Sequence, residues 1–232
     1  TSAFGTNAIA NGNDAIAFGH NANANAAETI AFGANSNAQA DSAIAIGFNS
    51  FANQNSATAV GRFASATANQ TIALGYYANA DANQGIAIGD RALANDTFTI
   101  AIGSNSEATG SRSLAVGYKA FASGENAAAM MVCSQAIGRN SMAFGQFSYA
   151  NSNNSFAMGV DARATAVDAY AIGVNANATH TNGFAFGTYA NAQQVNAFAV
   201  GPNAFASGIN SFAIGPNAVS YTHLRAHETK RN

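Results

Sequence analysis

Residues 71–84 read TIALGYYANADANQ, and residues 169–182, seven frames further on, read AYAIGVNANATHTN. Aligned without a gap, the two share an apolar-Ala-Ile/Leu-Gly start and two alanines at the same later positions. Extending this 14-residue frame in both directions places Gly at every fourteenth position from Gly5 to Gly215, except that residue 131 is Met. Sixteen coils result, and their positions are numbered here as columns 1 to 14. Column 3 is Ala in all sixteen, from Ala3 to Ala213, and column 4 is always apolar, as in Phe18, Ile46, Val60, Leu74 and Met158. Column 2 is mostly Ile and turns to Phe late in the chain (Ile16, Ile72, Phe156, Phe212). Column 8 is Ala or Ser throughout, and column 10 is Ala in the first fifteen coils.

A fixed short period of this kind is the signature of a solenoid, in which each repeat buries itself only against its neighbours. Columns 1 to 4 form a short strand rich in Ile, Phe and Val, ended at column 5 by a Gly that lets the chain turn. Columns 8 to 10 form a second strand, and the Asn, Asp, Gly and Ser of columns 11 to 14 make the second turn. The fold class is therefore all-β: a parallel β-solenoid of sixteen 14-residue coils with two short strands each, covering residues 1–219. An α-helical reading fails, because the apolar period is 2 and turn residues recur every half coil.

Side chains alternate between the two faces of a strand. Columns 2 and 4 share one face, and the expectation is that they point inward, with the Ala and Ser of columns 8 and 10 opposite them. Ile72, Leu74, Ala78 and Ala80 are then the interior of one coil. Of the Asp, Glu, Lys and Arg residues before position 220, none falls in columns 1 to 5, 8 or 10. On this assignment columns 1 and 3 face outward, yet they carry only Ala, Thr, Ser and Gly over sixteen coils. A long uncharged outer strip of small residues invites another surface to pack on it. The expected oligomer contact is therefore the column of Ala17, Ala31, Ala45, Ala59, Ala73, Ala87, Ala101, Ala115, Ala143, Ala157, Ala171, Ala185, Ala199 and Ala213.

The pattern carried by SFAIGPNAV (211–219), AFAVGPNAFASGIN (197–210) and SLAVGYKAFASGEN (113–126) resembles the head repeat of YadA-like trimeric autotransporter adhesins. Period, Ala column, Gly column and apolar flanks all coincide. The resemblance implies a left-handed parallel β-roll, three chains side by side as a homotrimer, and display on the outer membrane of a Gram-negative bacterium. Its ligands would be extracellular-matrix proteins, cell-surface molecules or other surfaces, with self-aggregation. The chain starts at Thr1 and is expected to be a fragment; no neck, heptad stalk or membrane-anchor strands can be read in it, so contact with a membrane would run only through a missing C-terminal anchor.

Two stretches depart from the pattern. Coil 127–140, AAAMMVCSQAIGRN, has Ala128 in the large column and Met131 in place of Gly, and is expected to be a packing defect. Residues 220–232, SYTHLRAHETKRN, have no repeat columns and are expected to be a disordered or non-native end.

Composition narrows the function classes. Only 9% of the 232 residues are charged, where about a quarter is usual; the 48% apolar content argues against disorder. A net charge of −2 gives no basic stripe for nucleic acid. The single cysteine, Cys133, excludes an internal disulfide framework. No enzyme chemistry emerges, and no cofactor or metal is expected. His20 and His180 stand eleven coils apart in different turn columns, and HLRAHE (223–228) lacks the order of a metalloprotease helix. No His stands in register with Cys133, which argues against a catalytic thiol. The outward aromatics are open to two readings: Phe51, Phe121, Tyr149 and Phe205 in column 9, and Phe63, Tyr77, Phe147 and Tyr189 in column 7, either contact a partner or pack between chains. An ice-binding solenoid would need a Thr ladder, but Thr holds column 1 only at Thr1, Thr29, Thr71 and Thr99. A phage tail fibre could use the same repeat. A hexapeptide acyltransferase would need coils of about 18 residues, which are not seen.

Overall fold

The computed structural model describes residues 1–221 and contains strands and turns throughout. The expectations for His223 and His227, and for the tail from residue 222 on, lie outside the described residues. Each coil contributes a three-residue strand at columns 2 to 4 and a two-residue strand at columns 9 and 10, such as Ile72–Leu74 and Asn79–Ala80. All first strands form one 16-stranded sheet and all second strands another, in sequential order. Pairing is parallel and the register advances by one coil, so that Ile72, Ala73 and Leu74 lie on Ile86, Ala87 and Ile88. At ~4.8 Å per coil the rod is on the order of 75 Å long.

Two β-turns close each coil. In one of them the Ala8 N–H donates to the Gly5 carbonyl at 3.2 Å, in the other the Ala15 N–H donates to the Gly12 carbonyl at 3.2 Å. Every seventh residue, from Asn7 to Asn217, occupies the left-handed region at φ 52° to 60°. The coil is thus two similar seven-residue halves, each a short strand followed by a turn. Asn fills fourteen of these thirty-one corners, as suits the residue that tolerates this conformation best after Gly.

The interior differs from the expectation by one residue on the first strand. The buried columns are 1, 3, 8 and 10: Thr71, Ala73, Ala78 and Ala80 are all 0% exposed, whereas Ile72 and Leu74 are half-buried on the outer side. Second-strand columns 8 and 10 point inward as expected. The physical reason lies in the turns. The first and fourth Cα atoms of a β-turn are less than about 7 Å apart, so walls joined at both ends by such turns stand closer than the ~10 Å of ordinary packed sheets. No Ile or Phe fits between them. The core is Ala with some Ser and Thr, most of whose hydroxyls donate to turn carbonyls, as Ser36 Oγ does to Gly33 O at 2.9 Å and Thr71 Oγ1 to Ala68 O at 2.7 Å. Ser113 and Ser141 find no partner among the described residues.

Column 5 is Gly for two reasons. The fifteen glycines have φ between 119° and 143°, outside the range of L side chains. A Cβ on Gly75 would also run into the carbonyl of Gly89. Met131 holds this position at φ 100°, and the effect reaches the next coil. The Gly145 N–H to Met130 carbonyl bond is 3.2 Å, against 2.7–2.9 Å for the equivalent bond in the other coils. The degenerate coil keeps the 14-residue register and carries a local strain.

Candidate functional site

With the small columns inside, the outer face of the first sheet holds columns 2 and 4. From Ile16 to Ile214 every side chain on it is apolar except Thr58 and the Tyr170 hydroxyl, and none is charged. Phe18 is 43% and Phe186 48% exposed, and neighbours cover one another along the rod. Phe4, Phe18 and Phe32 stack at 5.0 and 4.8 Å between ring centroids. From Phe156 to Phe212 column 2 is a second ladder, with Tyr170, Phe184 and Phe198 at spacings of 4.7–6.2 Å. Isolated monomers rarely expose contiguous apolar patches above a few hundred Å², and this strip runs the length of the rod.

The Ala column is not on that face. Ala17 and Ala213 are 1% and 2% exposed, and the other twelve expected contact alanines, from Ala31 to Ala199, are 0% exposed. A side chain with no accessible surface in its own chain cannot touch another, so the contact assignment to the alanines is corrected. They line the roll, and their smallness answers the opposite wall of their own chain. The absence of charge from columns 2 and 4 was legible in the sequence, but it marked an apolar face on the outside of the roll.

The corners carry two further features. Amide ladders run along the αL columns: Asn126 donates to Asn140 at 3.0 Å, Asn140 to Asn154 at 3.0 Å, and Asn154 to the Asp168 carboxylate at 2.9 Å. In the fourth to sixth coils, Phe63 and Tyr77 stack at 4.6 Å, and the Arg62 guanidinium lies over Phe63 at 4.9 Å and over Phe48 at 5.5 Å. The aromatic columns therefore partly satisfy themselves within one chain. Tyr77, Phe147 and Tyr189 remain exposed, while Phe51, Phe121, Tyr149 and Phe205 lie half-buried along the second sheet. Sequence reasoning missed the apolar outer face and the seven-residue half-coil. The recurrence of Asn at columns 7 and 14 was the available signal for the second.

His20 and His180 stand apart, and among the described residues His180 pairs only with its neighbour, Thr179 Oγ1 lying 3.0 Å from Nδ1. Among the described residues no three His, Cys, Asp or Glu side chains converge as a metal site requires.

The family model of the YadA head domain repeat (2 copies) matches residues 1–22, 24–50, 52–78, 80–106, 108–130, 136–162, 164–190 and 192–218. The break at 131–135 falls on Met131 and the residues after it, where the column 5 Gly is missing. No curated protein matches the chain.

Proposed function

The chain belongs to the YadA head-repeat family, and on that premise we propose that it is the head of a trimeric surface adhesin whose three copies meet through columns 2 and 4. The observation that carries this is the uncharged apolar face that the fold leaves outside. Burying it against two neighbours removes from water what no element of the single chain covers, at about 25 cal/mol per Å² of apolar area. A parallel face on a long straight rod favours closed association around an axis along the rod. The second sheet, with its polar and aromatic column 9, then faces outward.

In this reading the head is a non-enzymatic display rod on a Gram-negative surface. It attaches to matrix proteins, cells or other surfaces through contacts repeated along the coils and around the axis, so that many weak contacts add to firm attachment. Residues 1–220 are the head, one residue longer than the sequence boundary because Ser220 pairs with Ala206 in the second sheet, and the sequence after them has no repeat columns.

The test is a pair of charges on the face. Leu74→Glu with Ile88→Glu places carboxylates where the neighbouring chain should lie, and an unpaired buried charge costs several kcal/mol. Sedimentation should show the wild type as a trimer and the variant as a monomer, with the β circular dichroism of both alike. Asn69→Glu with Asn83→Glu, on the turn column 13, should leave the trimer whole. A wild-type rod that sediments as a monomer, or a doubly charged face that still assembles, overturns the proposed interface. Beads coated with the trimeric wild type should attach to matrix-coated surfaces and those with the monomeric variant should not.

A further inference from the structure

A longitudinal groove runs along the outside of the roll between the αL corners of column 7 and the second-strand column 9, floored by the small residues of column 8. It holds about 300 Å³ between Asn105, Glu107, Lys119 and Phe121, and a larger opening of about 540 Å³ beside the degenerate coil, walled by Cys133, Gln135, Phe147, Tyr149, Asp161 and Arg163. At Asp161 and Arg163 it continues into about 390 Å³ bounded by Asn175 and Asn177. Both volumes lie in the range of small-ligand sites. We propose that this groove binds a linear neutral oligosaccharide, lying along the rod with one sugar ring per coil.

The shape and chemistry of the walls point to that class. Phe147 and Tyr149 come from the same coil, one on each bank, and offer flat apolar surface to the C–H face of a pyranose ring. The next coil supplies one carboxylate and one guanidinium, Asp161 and Arg163, and the preceding coil an amide, Gln135. Among the described residues none of these three side chains has a hydrogen-bond or ion-pair partner, although elsewhere on the rod side chains pair from coil to coil, as Asn154 does with Asp168. Planar donors and acceptors around an aromatic platform, with one charge of each sign, suit the vicinal hydroxyls of a neutral sugar rather than an anion. An extended peptide is disfavoured, because every strand bordering the groove is paired on both sides and has no edge for strand addition. The coils repeat every ~4.8 Å, close to the advance of a linear glycan per ring, so the four coils from Cys133 to Asn177 offer room for about three to four rings in register. The inference rests on the adhesin reading in one respect: the second sheet must face outward in the assembly.

Cys133 is the chain's only cysteine and stands in the groove wall, so its alkylation reports occupancy. The full chain is treated with a maleimide in the presence of cellotriose, maltotriose or triacetylchitotriose. At least one of these should slow modification severalfold in a saturable way. Tyr149→Ala should weaken that protection roughly tenfold or more, and Asp161→Ala should weaken it too, each measured as the ratio to that variant's own unliganded alkylation rate and without change in sedimentation. No protection by any of the three sugars, or protection that survives Tyr149→Ala undiminished, overturns the proposal. Protection by an extended Gly-Pro-rich peptide in place of the sugars would overturn it in favour of a protein ligand. Coated beads that still attach to matrix surfaces when no sugar protects Cys133 leave the adhesin reading standing and the groove assignment fallen. Beads that attach to nothing while a sugar protects Cys133 give the reverse.

Discussion

At Met131 a side chain sits where the fold asks for none. Its φ of 100° lies in a region that costs a non-Gly residue on the order of 1–3 kcal/mol, and the stretched bond from Gly145 to Met130 shows that the neighbour gives way. Met131→Gly should therefore raise stability by about 1 kcal/mol, read as a higher denaturant midpoint with an unchanged slope; a lower midpoint would mean that Met131 is well accommodated. Ala73 and Leu74 make the complementary pair. Ala73 is fully buried between two close walls, so Ala73→Leu should overpack the roll by 1–3 kcal/mol or more, with loss of cooperative unfolding. Leu74 points outward, and Leu74→Ala should leave the roll of a single chain intact while weakening association. The opposite ranking would return the larger residues to the interior. At this scale the sequence showed which columns share a face and which never carry charge. It did not say which face was inner, because alternation has period 2 and is blind to side.

The coil closes because two β-turns of the same form recur seven residues apart, each with an αL residue in third place. Asn in these corners does double duty: it takes the left-handed backbone at little cost, and its amide bridges to the next coil. Asn140 accepts from Asn126 and donates to Asn154. Asn140→Leu should cost about 1–2 kcal/mol through backbone strain and two lost amide bonds. Asn140→Gly, which keeps the backbone at ease, should cost less; chemical denaturation separates the two, and equal losses would assign the whole effect to the ladder. The strands, the Gly turn at column 5 and the parallel stacking were all legible in one sequence, since each leaves a column. The half-coil was legible only in its Asn, because the corners also accept Phe63, Tyr77, Arg91 and Lys119 once neighbouring coils hold the backbone in place.

For the whole rod, stability and association should be coupled. No element of the single chain covers the outer face of Ile, Leu, Val and Phe, so on the proposed assembly the unfolding temperature of the wild type should rise with protein concentration. The Leu74→Glu and Ile88→Glu variant should lose that dependence, and a wild-type midpoint indifferent to concentration would count against a shared apolar face. By itself the sequence determined a sixteen-coil parallel solenoid, its 14-residue register and its likeness to a head repeat, since all three rest on periodicity along the chain. The tertiary structure alone decided that the alanines are the core, that the large apolar residues lie on the outside of the roll, and that a groove opens beside the degenerate coil. These depend on the distance between the two walls, which is set by turn geometry, and a sequence pattern specifies the order of side chains along a strand but not the room available on either side of it.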